Sequence, residues 1–138
     1  EFRRVLFRSV PMEGDVLPQV LSFLELQAQA LQGLGVEKAR IVLDPGIGFG
    51  KTPEGNLTVL RRQQELLTID GVEYPLLLGT SRKSFIGAAL GLPVDERMEA
   101  TGATCVVGIM KGAGIVRIHD VKPIARMCRM TDAILQAD

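Results

Sequence analysis

The chain has 138 residues, with 16 Lys and Arg against 16 Asp and Glu, a formal charge of zero, and 46% hydrophobic residues. This bounds it to one modest globular unit. There is no basic excess for nucleic acid, a 4% aromatic content gives no stacking platform for single strands, and no apolar run approaches the ~18 residues of a membrane span.

Residues 1–9, "EFRRVLFRS", carry three Arg and two Phe without a clear period. They back-translate to something that resembles a common sequencing adapter. They are read as read-through and set aside from the fold, which leaves residues 10–138 as the natural segment. Asp15 then caps a helix whose apolar residues Val20, Leu21, Leu24, Ala28, Leu31 and Leu34 recur at helical spacing. Pro18 lies in its first turn, where it is tolerated, and Gly33 and Gly35 end it. "ARIVLD" (39–44) is short and apolar and reads as a strand buried on both faces.

"PGIGFGKT" (45–52) follows. Gly50-Lys51-Thr52 fits a phosphate loop, but the position that must be its first Gly is Pro45. Proline has no N–H to offer an anion. Gly46-Ile47-Gly48-Phe49-Gly50 is G-x-G-x-G and fails the dinucleotide fingerprint as well. Asn56 is expected to cap a helix to about Thr68, broken by Asp70-Gly71. "YPLLLGTSRKS" (74–84) is a second buried strand with a polar end. A short helix over Phe85–Leu90 comes next, then a longer one from Pro93 to Met110. Its small residues Ala100, Gly102, Ala103, Thr104 and Gly108 let it sit close to a sheet. "GIVRIHD" (114–120) is the third strand, and a helix from about Pro123 to Leu135 ends the chain. Cys105 and Cys128 fall in helical patterns without metal-ligand spacing and read as small buried hydrophobes in a reducing cytoplasm.

Helices alternating with buried strands predict an α/β fold with parallel βαβ units. An open doubly wound sheet and part of a (β/α)8 TIM barrel both satisfy that order. Three strands make a poor open sheet but a plausible last third of a barrel of about 250 residues. All three strands end in polar residues: Asp44; Gly79-Thr80-Ser81-Arg82-Lys83; and Arg117, His119 and Asp120. Parallel α/β folds place ligand sites at such carboxyl ends. Arg117 and His119 are two apart, so they share a face of the strand. Plainer readings stand beside these. Asp44 before Pro45-Gly46 suits a turn, His119 can be structural, Lys83 can be solvated, Arg82 is expected to be solvated, and Lys51 is expected to be a loop surface charge. Phe49 either tucks under its loop or faces a ligand. Together the residues outline a pocket with one carboxylate for an amidine-like edge, and with cations and an imidazole for an anion.

"LDPGIGFGKT", "LLLGTSRKSFIG" and "GIVRIHDV" resemble the three C-terminal signature segments of the dihydropteroate synthase family of pterin-binding TIM barrels. The resemblance spans residues 15–136. It implies a transferase of folate biosynthesis that joins 6-hydroxymethyl-7,8-dihydropterin diphosphate to 4-aminobenzoate and releases diphosphate. It also implies that Asp44, Gly79, Lys83 and Arg117 bind the pterin, that Phe49 and Ser81 lie at the aminobenzoate, and that Arg117 and His119 hold the diphosphate. Lys83, Arg117 and His119 would then carry the catalysis. No metal ligand is expected in these residues. The family's Mg2+ is expected to be held by an N-terminal half, and its members are typically homodimers. The segment is thus expected to be inactive alone. Two rival readings remain: a pterin-dependent corrinoid methyltransferase on the same barrel, and a non-catalytic half-barrel remnant.

Overall fold

The computed structural model describes residues 13–138; the read-through assignment of residues 1–9 lies outside them. Helix α1 spans Val16–Gly33, as its caps predict. Asp15 Oδ1 accepts the Leu17 N–H at 3.2 Å, which satisfies one of the unpaired amides of the first turn. Leu17, Val20, Leu24 and Ala28 form the buried stripe. The stripe stops one turn earlier than the sequence period implies, because Leu31 and Leu34 are exposed.

Residues 39–44 do not form the expected strand. Lys38–Arg40 is a 3-10 turn, and only Leu43 bridges to the sheet, in parallel with Leu76. Its N–H donates to Pro75 O at 2.9 Å and its carbonyl accepts from Leu77 N at 2.7 Å. Helix α2 spans Pro53–Arg61 and is capped by Thr52, not Asn56. Thr52 Oγ1 accepts the Gly55 N–H at 3.0 Å, and Pro53 sits in the first helical turn, where its missing donor costs nothing. A 3-10 turn, Gln63–Leu66, takes the chain out of α2. The predicted helix end at Asp70-Gly71 is instead a hairpin of β1 (Thr68–Ile69) and β2 (Val72–Glu73). Asp70 and Gly71 have φ of 50° and 75°, the paired left-handed geometry that makes Asp-Gly a two-residue hairpin turn.

Strand β3 (Leu76–Leu78) pairs in parallel with β4 (Ala113–Val116), and the Arg117 N–H extends the ladder to Leu78 O at 3.0 Å. Leu43, β3 and β4 are therefore parallel neighbours in chain order. Between β3 and β4 run α3 (Ser84–Leu90), a 3-10 turn at Val94–Glu96 and α4 (Met98–Met110). The predicted Pro93–Met110 helix is thus split. Helix α5 (Val121–Leu135) closes the chain. As anticipated, small residues set the closeness of α4. A Cβ on Gly108 would run into Leu78 Cδ2, and one on Gly102 into the Met127 sulfur on α5.

The sheet has two unlike faces. Ile41, Leu43, Leu76 and Leu78 are buried in the core with α1 and α2 residues. Val42 and Ile115, on the alternate positions, are 46% and 44% exposed. Among the described residues the helices cover one face only, so the expected burial on both faces is not met there. By the same alternation, the open face continues from Val42 to Asp44, from Leu77 to Gly79, and from Ile115 to Arg117. The fold is α/β and carries its polar strand ends on that open face. Among the described residues no helix is long and apolar enough to cross a membrane.

Candidate functional site

Beyond Leu78 the chain turns sharply through Thr80–Lys83. Arg82 adopts φ 57°, a left-handed conformation costing a non-glycine residue ~1–2 kcal/mol. Four contacts hold it there. Its N–H donates to Thr101 Oγ1 at 3.1 Å, and Arg97 Nη1 donates to its carbonyl at 3.0 Å. Its guanidinium grips Asp120 through Nη2–Oδ1 at 2.8 Å and Nε–Oδ2 at 3.2 Å. Next to it, Thr80 and Thr104 hydroxyls bond at 2.7 Å. Arg82 remains partly exposed, its side chain 39% accessible, but it is also paired and ties the loop after β3 to the loop after β4. Bidentate pairing suits a guanidinium, and strain held by surrounding contacts is common where a loop presents reactive groups.

The turn brings Ser81 to His119 and sends the Lys83 ammonium to the 45–52 loop. A pocket of about 280 Å³ is lined by Gly79, Ser81, Lys83, Arg117, Ile118 and His119. Arg117 lies beyond the end of β4 with its guanidinium over Gly79, where an added Cβ would stand 3.1 Å from Nη2. His119 Nδ1 is 2.7 Å from Ser81 Oγ, which also accepts the His119 main-chain N–H at 3.1 Å.

Asp44 and Phe49 fall elsewhere. They line a neighbouring, largely apolar cleft of about 280 Å³ with Phe23, Leu24, Ile41 and Leu43. Asp44 Oδ1 accepts the Gly46 N–H at 2.8 Å, so it does form the turn its neighbours suggest. Lys83 lines the pocket and reaches Phe49 at the edge of the cleft. Its Nζ donates to Ile47 O at 2.5 Å and stands 4.7 Å from the centre of the Phe49 ring. Gly48 is needed beneath it: φ is 88°, and a Cβ would come within 2.9 Å of Lys83 Cδ. Burial lowers the Lys83 pKa most, the Asp44 carboxylate opposes that, and Arg117 adds to the lowering.

Lys51, expected as a surface charge, is drawn into the loop. Its Nζ donates to Gly46 O at 2.6 Å and Phe49 O at 3.0 Å. From the other side, the Gly48 N–H donates to Asn56 Oδ1 at 2.8 Å. The buried Asn56 therefore pins the Gly-rich loop to α2 instead of capping it. Burial brings the Lys51 pKa down from 10.5 to about 8, against the pull of Asp44 and with help from Lys83. The unfolded chain keeps this proton up to its ordinary pKa, so folding expels it between about pH 8 and 10.5. Stability should therefore rise with pH across that window, and Lys51→Met should flatten the rise in urea titrations. An unchanged slope in the variant would refute the assignment.

Among the described residues no three His, Cys, Asp or Glu side chains converge to hold a metal ion. Asp120, next to His119, is taken up by Arg82, and Asp44 sits in the field of Lys51 and Lys83, a poor setting for a cation. The described residues do not fit the family's Mg2+. Of the cysteines, Cys105 is buried but Cys128 only half so.

The sequence reading missed Arg97, Thr101 and Thr104, which brace the turn from α4 and the segment before it. Nothing local marks them, since the backbone they brace is strained only once folded. Asn56 carried a weak signal, being a polar residue on the apolar side of α2.

Residues 5–119 match the family model described as pterin binding enzyme. The chain is 52% identical over 122 residues to the dihydropteroate synthase of Bacillus subtilis, covering 88% of this chain and 42% of that protein. It superposes on the crystal structure of dihydropteroate synthase from Clostridium difficile in the presence of pteroic acid with a TM-score of 0.87 and 43% identity, over 95% of this chain and 49% of that one. The Thermus thermophilus dihydropteroate synthase in complex with 4-aminobenzoate gives a TM-score of 0.82 and 36% identity, over 91% and 49%. The chain spans less than half the length of these proteins.

Proposed function

The chain belongs to the pterin-binding enzyme family, and from that premise we propose that it supplies the C-terminal part of a dihydropteroate synthase barrel. Leu43, β3 and β4 would be three successive barrel strands, and their open face the barrel interior. The observation that carries the reading is the grouping of Lys83, Arg117 and His119 around one pocket at the carboxyl ends of β3 and β4. This is a place for an anion that leaves.

In this reading the pterin lies between the pocket and the Asp44 cleft. The second oxygen of Asp44 accepts from the amino-pyrimidine edge, and Lys83, against Phe49, stands between that edge and the pocket. The pterin CH2–O bond breaks, and the bonding pair departs with the diphosphate. Arg117, His119 and Lys83 stabilise the charge that builds up there, the largest contribution a preorganised site makes to such a step. The aniline nitrogen of 4-aminobenzoate attacks the methylene carbon near the Phe49 rim and loses its proton. No step is assigned to a metal, which the described residues do not hold.

The test is a chimera in which residues 15–136 replace the matched segment of the Bacillus subtilis relative. Dihydropteroate and diphosphate should form in equal amounts at a rate within about tenfold of the parent, as expected where the transition-state contacts are retained. A folded, dimerisation-competent chimera without that activity would reject the proposal.

A further inference from the structure

We propose that Ser81 selects the tautomer of His119, so that the imidazole meets the pocket as an Nε2–H donor. A serine hydroxyl has one hydrogen and two lone pairs. One lone pair of Ser81 Oγ receives the His119 main-chain N–H at 3.1 Å. The same oxygen lies 2.7 Å from Nδ1, and Ser81 is 8% exposed. Among the described residues Nδ1 is the acceptor within reach of the hydroxyl hydrogen. If Nδ1 carried the proton, Oγ would receive two N–H donors and its own O–H would have no acceptor among the described residues, an arrangement folded proteins avoid at largely buried positions. The hydroxyl therefore donates to Nδ1, and the proton of the neutral ring sits on Nε2.

Both ends of this link are fixed. Ser81 lies between Thr80, bonded to Thr104, and Arg82, whose main chain is held by Thr101 and Arg97. His119 precedes Asp120, which Arg82 grips. The main-chain and side-chain bonds to one hydroxyl lock the ring in place as well as its protonation. Ser81 is in this sense a positioning residue, acting through His119. That the proton serves an anion rests on the reading above; which nitrogen carries it does not.

His119 is the sole histidine, so an untagged, 15N-labelled chain reports on one imidazole. A two-bond 1H–15N correlation spectrum of the neutral ring, recorded at alkaline pH, should show a pyrrole-type Nε2 and a pyridine-type Nδ1. Ser81→Thr, which keeps the hydroxyl, should preserve that pattern. Ser81→Ala should give averaged shifts of a tautomer mixture. A native ring protonated at Nδ1 overturns the proposal without any variant, and so does an Ala variant with the native pattern. Adding inorganic diphosphate separates the two claims. A shift of the Nε2–H signal supports the anion reading, and its absence counts against that reading while leaving the tautomer result to stand.

Discussion

Replacing Lys83 by Ala in the chimera is expected to lower turnover by ~100- to 1,000-fold, the loss found when one preorganised donor to a developing anion is removed. The geometry sets Lys83 apart from its neighbours. Its ammonium reaches Ile47 O at 2.5 Å and the face of Phe49 at 4.7 Å, yet it also lines the pocket with Arg117 and His119. It lines the one cavity and lies against Phe49, which lines the other. Burial disfavours the ammonium, so losing the charge relieves a cost that offsets the lost contacts to Ile47 O and Phe49. The thermal midpoint should therefore move little while the rate falls. Lys83→Arg should not rescue. The longer planar fork cannot sit as a point charge over Gly48, where the lysine stem already fills the space a Cβ would take. Turnover equal to that of the unsubstituted chimera would remove Lys83 from the reaction.

The contrast between Lys83 and Arg82 shows where a sequence can be read and where it stops. Lys83 follows directly from a polar cluster at the end of an apolar run, a pattern visible without coordinates. Arg82, one residue earlier, looks solvent-facing on the same grounds. Its role depends on a positive φ and on Asp120, 38 residues away, and no local pattern encodes either. Helix α1 is legible because a cap, a period and two terminal glycines agree. The strand at 39–44 is not, because apolar composition gives no pairing partners. Among the described residues only Leu43 finds one, and Val42 stays 46% exposed. The hairpin at 68–73 escapes for another reason. Asp70-Gly71 ends a helix or turns a hairpin equally well, and only the antiparallel register of its two-residue arms decides. Asp44 and His119 each satisfy their plainer structural reading as well as facing a cavity. At strand ends those two roles use the same atoms.

The closeness of α4 to β3 yields the largest expected effect on stability, with a change of sign as its signature. Leu78 is fully buried, so Leu78→Ala should cost ~2–5 kcal/mol, a large share of the ~5–15 kcal/mol that holds a typical domain. Gly108→Ala sets two terms against each other. An alanine in a helix interior is worth ~1 kcal/mol over glycine, but its Cβ would overlap Leu78 Cδ2, and overpacking costs ~1–3 kcal/mol. The single variant should thus be destabilised. In the Leu78→Ala background the clashing methyl is gone and the new Cβ enters the space it left. There the same substitution should stabilise by ~1 kcal/mol. The site should feel the single change too. Thr101 and Thr104 on α4 brace Arg82 and Thr80, so pushing α4 outward pulls at the turn that carries Ser81 and Lys83. Urea midpoints of the four proteins measure the coupling. If Gly108→Ala has the same sign with Leu78 present or absent, the contact is not what sets the helix's distance from the sheet.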